Sequence, residues 1–227
     1  MMQIPPSALD YRPTLGLPRV VHEDAQVLVV DKPPGLLSVP GRLPEHHDSA
    51  LSRLQAVFGQ LWVVHRLDMD TSGLIAYART REAAAHLGRQ FERRTVQKRY
   101  EALVWGRPPS PRGVIALPLR IDWPHRPRQV VDGLAGKPSV THYECVPITL
   151  DPVAPARLLL SPITGRSHQL RVHLSAIGLP IVGDRFYGSV LDNGPAEGER
   201  LMLHACTLVL QHPTDGQVLR LDAPPGF

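Results

Sequence analysis

The hydrophobic positions of this chain fall into short runs divided by Gly, Pro and Asp. VLVV at 27–30 reads as a buried strand, and Lys32-Pro33-Pro34-Gly35 stops it, because proline has no amide to continue a ladder. Asp48 and Ser49 are candidate caps for a helix carrying Leu51, Leu54, Val57 and Phe58, with Gly59 at its end. LWVV at 61–64 and LIAYA at 74–78 read as strands joined by the polar stretch 65–73. Thr80 opens a second helix, with Ala84, Leu87 and Phe91 roughly on one face and its arginines turned outward. Strands are expected at 100–105, 113–121, 139–148 and 156–161, and a surface loop rich in Pro, Gly and Arg over 122–138. Between 168 and 177, Leu170, Val172 and Leu174 alternate like a strand, while Leu170, Leu174 and Ile177 suit a helix; length and Gly178 favour the helix. A long strand at 201–210 precedes a short strand-like stretch.

Strands outnumber helices and do not alternate strictly with them. That order predicts an α+β fold: a mixed, largely antiparallel β-sheet with flanking helices and loops. At 227 residues, with no linker in view, the chain reads as an extended N-terminal arm over 1–19 and one catalytic-sized domain over 20–227. No segment has the length or apolarity of a membrane span or secretory signal. Cys145 and Cys206 stand alone, without the CxxC spacing of a metal or redox site, which suits a reducing compartment and makes cytoplasm the expected location.

The net charge of +4 says little, but its distribution says more. Arg89, Arg93, Arg94, Lys98 and Arg99 are opposed by Glu92 alone over 89–99, and 164–173 carries Arg166, Arg171 and two histidines with no acid. Such clustering fits a polyanion partner as well as it fits a solvated basic face.

The densest polar stretch is Val64-His65-Arg66-Leu67-Asp68-Met69-Asp70-Thr71-Ser72-Gly73-Leu74. Between two strands it forms a loop on a rigid scaffold, where functional groups commonly sit. Taken alone, its Asp, Thr, Ser and Gly are ordinary turn residues. Together with other segments, HRLD followed by TSG resembles the signature loop of the RluA-type pseudouridine synthases. Asp31-Lys32-Pro33-Pro34-Gly35 resembles that family's early KPxG segment, and Lys98-Arg99-Tyr100 its basic-basic-tyrosine segment. Thr164-Gly165-Arg166-Ser167-His168-Gln169-Leu170-Arg171-Val172-His173 is similar to its late RxHQ(I/L)R segment, and Gly178-Leu179-Pro180-Ile181-Val182-Gly183-Asp184 to the GxPIxGD run that follows. The likeness is greatest to members that act on both tRNA and 23S rRNA, and it extends through 35–43, the Asp122-Trp123-Pro124 turn, and Gly183-Asp184-Arg185-Phe186-Tyr187.

The resemblance implies an isomerase that converts uridine to pseudouridine in RNA without cofactor or metal. Its expected substrates are the first uridine of the tRNA anticodon loop and a uridine in a 23S rRNA hairpin, and its expected state is a monomer. It implies that Asp68 is the essential carboxylate, that Arg171 keeps it charged, and that Tyr100 and Leu170 hold the base between an aromatic and an apolar wall, the Tyr100 hydroxyl also being a catalytic candidate for removing the C5 proton. Arg66 is similar to the family residue that fills the space left by a flipped nucleotide, and Arg166, Thr71 and His168 are expected to bind substrate. These residue types suit the reaction. A carboxylate can stabilise positive charge developing at the sugar, and a neighbouring guanidinium opposes the rise in pKa that burial would cause.

Rival readings are weaker. A metal hydrolase lacks a ligand pair: His168 and His173 lie about 140° apart on an ideal helix, and no HExxH is present. A two-carboxylate glycosidase would need a second acid, and Asp70 is expected to be solvated. A non-catalytic RNA-binding or chaperone homologue would have no need to retain Asp68, Tyr100 and Arg171 together. A synthase confined to rRNA remains the closest alternative.

Overall fold

The computed structural model describes residues 11–146, 155–188 and 200–227. Most of the expected arm over 1–19, and the last two residues of the strand expected at 139–148, lie outside these. In chain order the elements are β1 (Arg19–Glu23), β2 (Val27–Lys32), α1 (Ala50–Phe58), β3 (Trp62–Val63), β4 (Ser72–Ala78), α2 (Arg81–Glu92), β5 (Gln97–Val104), β6 (Arg112–Ala116), β7 (Leu119–Ile121), β8 (Gln129–Val131), β9 (Val140–Val146), β10 (Ala156–Pro162), α3 (Gln169–Ala176), β11 (Leu203–Gln211) and β12 (Val218–Asp222). The fold is α+β. Its main sheet runs β1-β2-β4-β11-β5-β10-β9-β6, with β12 beside β11 and β3 beside β4. Its strands pair antiparallel except β4 with β11, where Ser72 faces His204 and Gly73 faces Ala205 in parallel.

Two covering layers explain the unbroken apolar runs of β2 and β4, since a strand buried on both faces does not alternate. Val27, Val29, Leu74, Ala76 and Ala78 pack with Ala83 and Leu87 of α2. The intervening residues Leu28, Val30, Ile75 and Tyr77 pack with Ala50 and Leu54 of α1. Ser49 caps α1 by accepting from the Ser52 amide, and Thr80 caps α2 by accepting from Ala83. Along β5 and β10, Ala102, Val104, Leu158 and Leu160 form a third cluster with Leu170 and Leu174 of α3. Tyr100 packs against both this cluster and the one beneath α1, so it stands where two parts of the core meet.

Several sequence expectations change here. Pro118 divides the strand expected at 113–121 into β6 and β7, and β7 leaves the main sheet to form a two-stranded ribbon with β8. The expected loop at 122–138 therefore contains a strand and a short 3-10 turn at Trp123–His125. LWVV shrinks to two strand residues. Val57, placed on the apolar side of α1, is exposed. RVVHE at 19–23 forms an edge strand that its half-buried, non-alternating pattern did not announce.

Candidate active site

The loop between β3 and β4 is fixed at both ends and from below. His65 accepts a hydrogen bond from the Ala76 amide at 2.9 Å and stacks on Phe91 with ring centroids 4.5 Å apart. Burial, with Lys98 nearby, lowers its pKa to about 3, so the ring is neutral and available as an acceptor. Ser38 Oγ donates to the Leu67 carbonyl and accepts from its amide. Beneath the turn, the fully buried Lys32 Nζ donates to the carbonyls of Pro33, Leu36 and Met69 at 2.7–2.9 Å. Burial lowers the Lys32 pKa to about 7, against the opposing pull of Asp70 and Asp68. The Thr71 amide closes the turn on the Asp68 carbonyl at 3.2 Å. Gly73 has φ +110°, and a Cβ there would collide with the Ala205 backbone, so only glycine admits the parallel β4–β11 pairing.

This scaffold holds the Asp68 carboxylate half-exposed, with Oδ2 3.8 Å from Arg171 Nη1. That is a charge contact and not a direct hydrogen bond. The hydrogen bonds of Arg171 go to Asp184: Nε donates to Oδ2 at 2.8 Å and Nη2 to Oδ1 at 2.7 Å. Asp184 Oδ1 also accepts from the amides of Phe186 and Tyr187. The guanidinium carbon lies 5.2 Å from the Phe186 ring centre and 5.3 Å from that of Tyr187. Arg171 is only 2 % exposed, and its burial would lower its pKa, but Asp184, then Asp68 and Asp70, hold it above its ordinary value. A permanently charged, immobile guanidinium thus stands beside a carboxylate that keeps its outer face open to a ligand.

Tyr100, on β5, sits within electrostatic reach of Asp68; burial and then that negative charge raise its pKa, so its hydroxyl stays protonated at neutral pH. Leu170 is buried in the cluster against which Tyr100 packs. Arg66 is exposed on the same loop as Asp68, with no hydrogen bond or ion pair to any described residue. Arg166 is half-buried before α3, and its Nε lacks a partner among the described residues. Two expected substrate-binding residues are less accessible. Thr71 is 2 % exposed under the turn. His168 takes up a left-handed conformation ahead of α3, with Nδ1 2.7 Å from Tyr187 Oη. Tyr187 Oη also accepts from the Gln129 amide. Asp70, expected to be solvated, instead pairs with Arg185 at 3.0 Å.

Four contributors carried sequence signals with no assigned role. Asp184 and Tyr187 lie in GDRFY, Lys32 in DKPPG, and Gln169 in SHQLR. Gln169 accepts from Thr164 Oγ1 and the Arg166 amide and donates to Val140 and Thr141, shaping the turn before α3. A buried charge or amide is tolerated only when partnered, which was the available clue; the identity of the partners was not. Among the described residues, no cluster of His, Cys, Asp and Glu is arranged to hold a metal ion, and no helix is long and apolar enough to cross a membrane.

A carboxylate beside a clamped guanidinium, with a tyrosine within its electrostatic reach, suits the class of enzymes that handle developing charge. Comparison with known proteins makes the class specific. The family description "RNA pseudouridylate synthase" matches residues 26–176. Dual-specificity RNA pseudouridine synthase RluA of Escherichia coli (strain K12) is 50% identical over 208 residues, covering 92% of this chain and 93% of that protein. The protein of the same name from Vibrio vulnificus (strain CMCP6) is 46% identical over 217 residues, covering 95% and 86%. Among solved structures, human RNA pseudouridylate synthase domain containing 1 superposes with a TM-score of 0.75 at 33% identity, over 92% of this chain and 84% of that one. This chain belongs to the RluA family of RNA pseudouridine synthases and is an isomerase.

Proposed function

We propose that the enzyme isomerises the first uridine of the tRNA anticodon loop and a uridine in a 23S rRNA hairpin, acting as a cytoplasmic monomer whose catalytic domain spans 20–227. The reaction breaks the bond between ribose C1′ and N1, turns the uracil, and joins C1′ to C5. The C5 proton departs and N1 gains one, so no atom or electron is supplied from outside. Asp68 acts at C1′, where its charge stabilises the cationic sugar as the glycosidic bond breaks. Arg171 sets its charge 3.8 Å from the Asp68 carboxylate, and Asp184 holds Arg171 in place. The Tyr100 ring and Leu170 grip the detached uracil, as flipped bases are commonly gripped between aromatic and apolar walls. Tyr100 contributes its ring and a donating hydroxyl, since its raised pKa argues against a ready base. Arg66 takes the space vacated by the flipped nucleotide, its guanidinium able to stack and to bind phosphate. Arg166 meets the RNA backbone, Thr71 supports the catalytic turn, and His168 orients the neighbouring Tyr187.

The observation that carries this reading is the open Asp68 carboxylate 3.8 Å from a buried Arg171 that is itself clamped by Asp184. Basic residues on the surface, including the half-buried Lys98 and exposed Arg94 and Arg99, suit a phosphate backbone. The dual target rests on the similarity to dual-specificity relatives. Carbodiimide primer-extension mapping of tRNA and 23S rRNA, from cells with and without the gene, tests it. One pseudouridine should vanish from each RNA class and return with the gene. Loss from 23S rRNA alone would leave an rRNA-specific synthase, and no loss from either would overturn the assignment.

A further inference from the structure

The ribbon β7–β8 presents a cationic aromatic tip that the chemistry around Asp68 does not use. At this tip Trp123 is 63% exposed, and the Arg126 guanidinium lies over its ring at 4.8 Å from the centroid. The turn is well formed: the Asp122 amide donates to the Arg128 carbonyl, and the Arg128 amide to that of His125. Local acids are already engaged, Asp122 with His125 at 2.9 Å and Asp132 with Arg120 at 2.5 Å. Arg126 and Arg128 therefore have no acidic partner among the described residues. A large indole left in water beside a guanidinium with no acidic partner is poor packing, but it is the surface that an unpaired nucleotide recognises, with a π-face to stack on and charge for its phosphate.

The tip is also joined to the catalytic centre. The Gln129 amide donates to Tyr187 Oη at 2.8 Å, and Tyr187 Oη is hydrogen-bonded to His168 Nδ1 at 2.7 Å. Arg128 lies 5.7 Å from the Phe186 ring centre, and Arg171 lies 5.2 Å from the same centre. These contacts tie the ribbon to the residues packed around Arg171.

We propose that Trp123 and Arg126 form a second RNA-binding site, a stacking platform for one unpaired base of the same hairpin whose target uridine enters the Asp68 pocket. It rests on the RNA-modifying reading above. Because its ribbon is tied to the residues around Arg171, the platform selects hairpins that offer a splayed base at the matching position. Affinity is the direct readout: fluorescence anisotropy of a fluorescein-labelled anticodon stem-loop RNA, and of the same hairpin with each loop base removed in turn. Trp123→Ala should weaken binding to the intact hairpin by roughly 5- to 100-fold, and Trp123→Phe by much less, because stacking needs an aromatic face. One abasic hairpin should bind the wild type more weakly yet bind Trp123→Ala as well as the intact hairpin does. Equal affinities for wild type and Trp123→Ala would overturn the platform, as would a loss in Trp123→Ala that no abasic position reduces. A wild type that still modifies the hairpin in those cases would leave the catalytic reading intact.

Discussion

At the residue scale, the centre is organised by a charge that the chain cannot leave unpaired. Arg171 lies in α3 among Gln169, Leu170, Val172, His173 and Leu174, all buried. Removing one partner of such a pair commonly costs a few kcal/mol, because the other charge stays buried. Asp184→Asn retains the shape and most hydrogen bonding but removes the charge that clamps Arg171. It should lower unfolding stability in urea by about 2–4 kcal/mol and slow pseudouridine formation, since Asp68 becomes the guanidinium's main counter-charge and must be drawn inward. Unchanged stability would mean that Asp184 is not what balances Arg171. His65 makes a pH-dependent contribution. Its folded-state pKa of about 3 lies below the ordinary histidine value, so between pH 6.5 and 3 the unfolded chain binds the additional proton. That contribution is present above pH 6.5 and lost as pH falls through the window. The urea midpoint of wild type should therefore fall more steeply from pH 6.5 to 4 than that of His65→Gln, whose amide oxygen can still accept from Ala76. Parallel pH profiles would contradict the neutral, buried histidine.

At the element scale, the loop that carries Asp68 is rigid because it leads directly into a strand paired on both sides. β4 pairs with β2, β3 and β11, and its junction with β11 runs through Gly73. Gly73→Ala combines a disfavoured φ with a collision against Ala205 backbone and should cost roughly 3 kcal/mol or more. Wild-type stability in denaturant unfolding would show that the β4–β11 junction is looser than described. Elements with a single strong signal were the most legible. Ser49 and Thr80 announced α1 and α2, Gly178 resolved the ambiguous 168–177 in favour of α3, and VLVV and LIAYA announced strands covered on both faces. The less legible elements were those whose existence depends on a distant partner. β1 is an edge strand made by pairing with β2, and β8 is a three-residue strand made by pairing with β7, so neither carries a local apolar pattern.

At the scale of the whole molecule, the site lies where the part of the core beneath α1 meets the part beneath α3, and Tyr100 belongs to both. That convergence explains what the sequence could reveal about function. Asp68, Tyr100, Leu170 and Arg171 were legible through motif resemblance, because their spacing alone suited a turn aspartate, a core tyrosine, a core leucine and a structural ion pair. What stayed hidden was how the pieces engage one another. Asp184, 13 residues after Arg171, takes both of its best hydrogen bonds. Lys32 supports the Met69 carbonyl from 37 residues away. Such pairings follow from sheet order, which places β11 between β4 and β5 although it comes late in the chain.

The central claim is that the Asp68 carboxylate performs the sugar chemistry within a site otherwise built to bind. Its most direct test is the single-turnover rate of pseudouridine formation by Asp68→Asn on an RNA hairpin, measured alongside hairpin affinity. The expected result is a rate lowered by roughly 10⁴-fold or more, as when a reacting group is removed from other enzymes, with affinity within a few-fold of wild type. A variant that still forms pseudouridine at a rate near wild type would contradict the account.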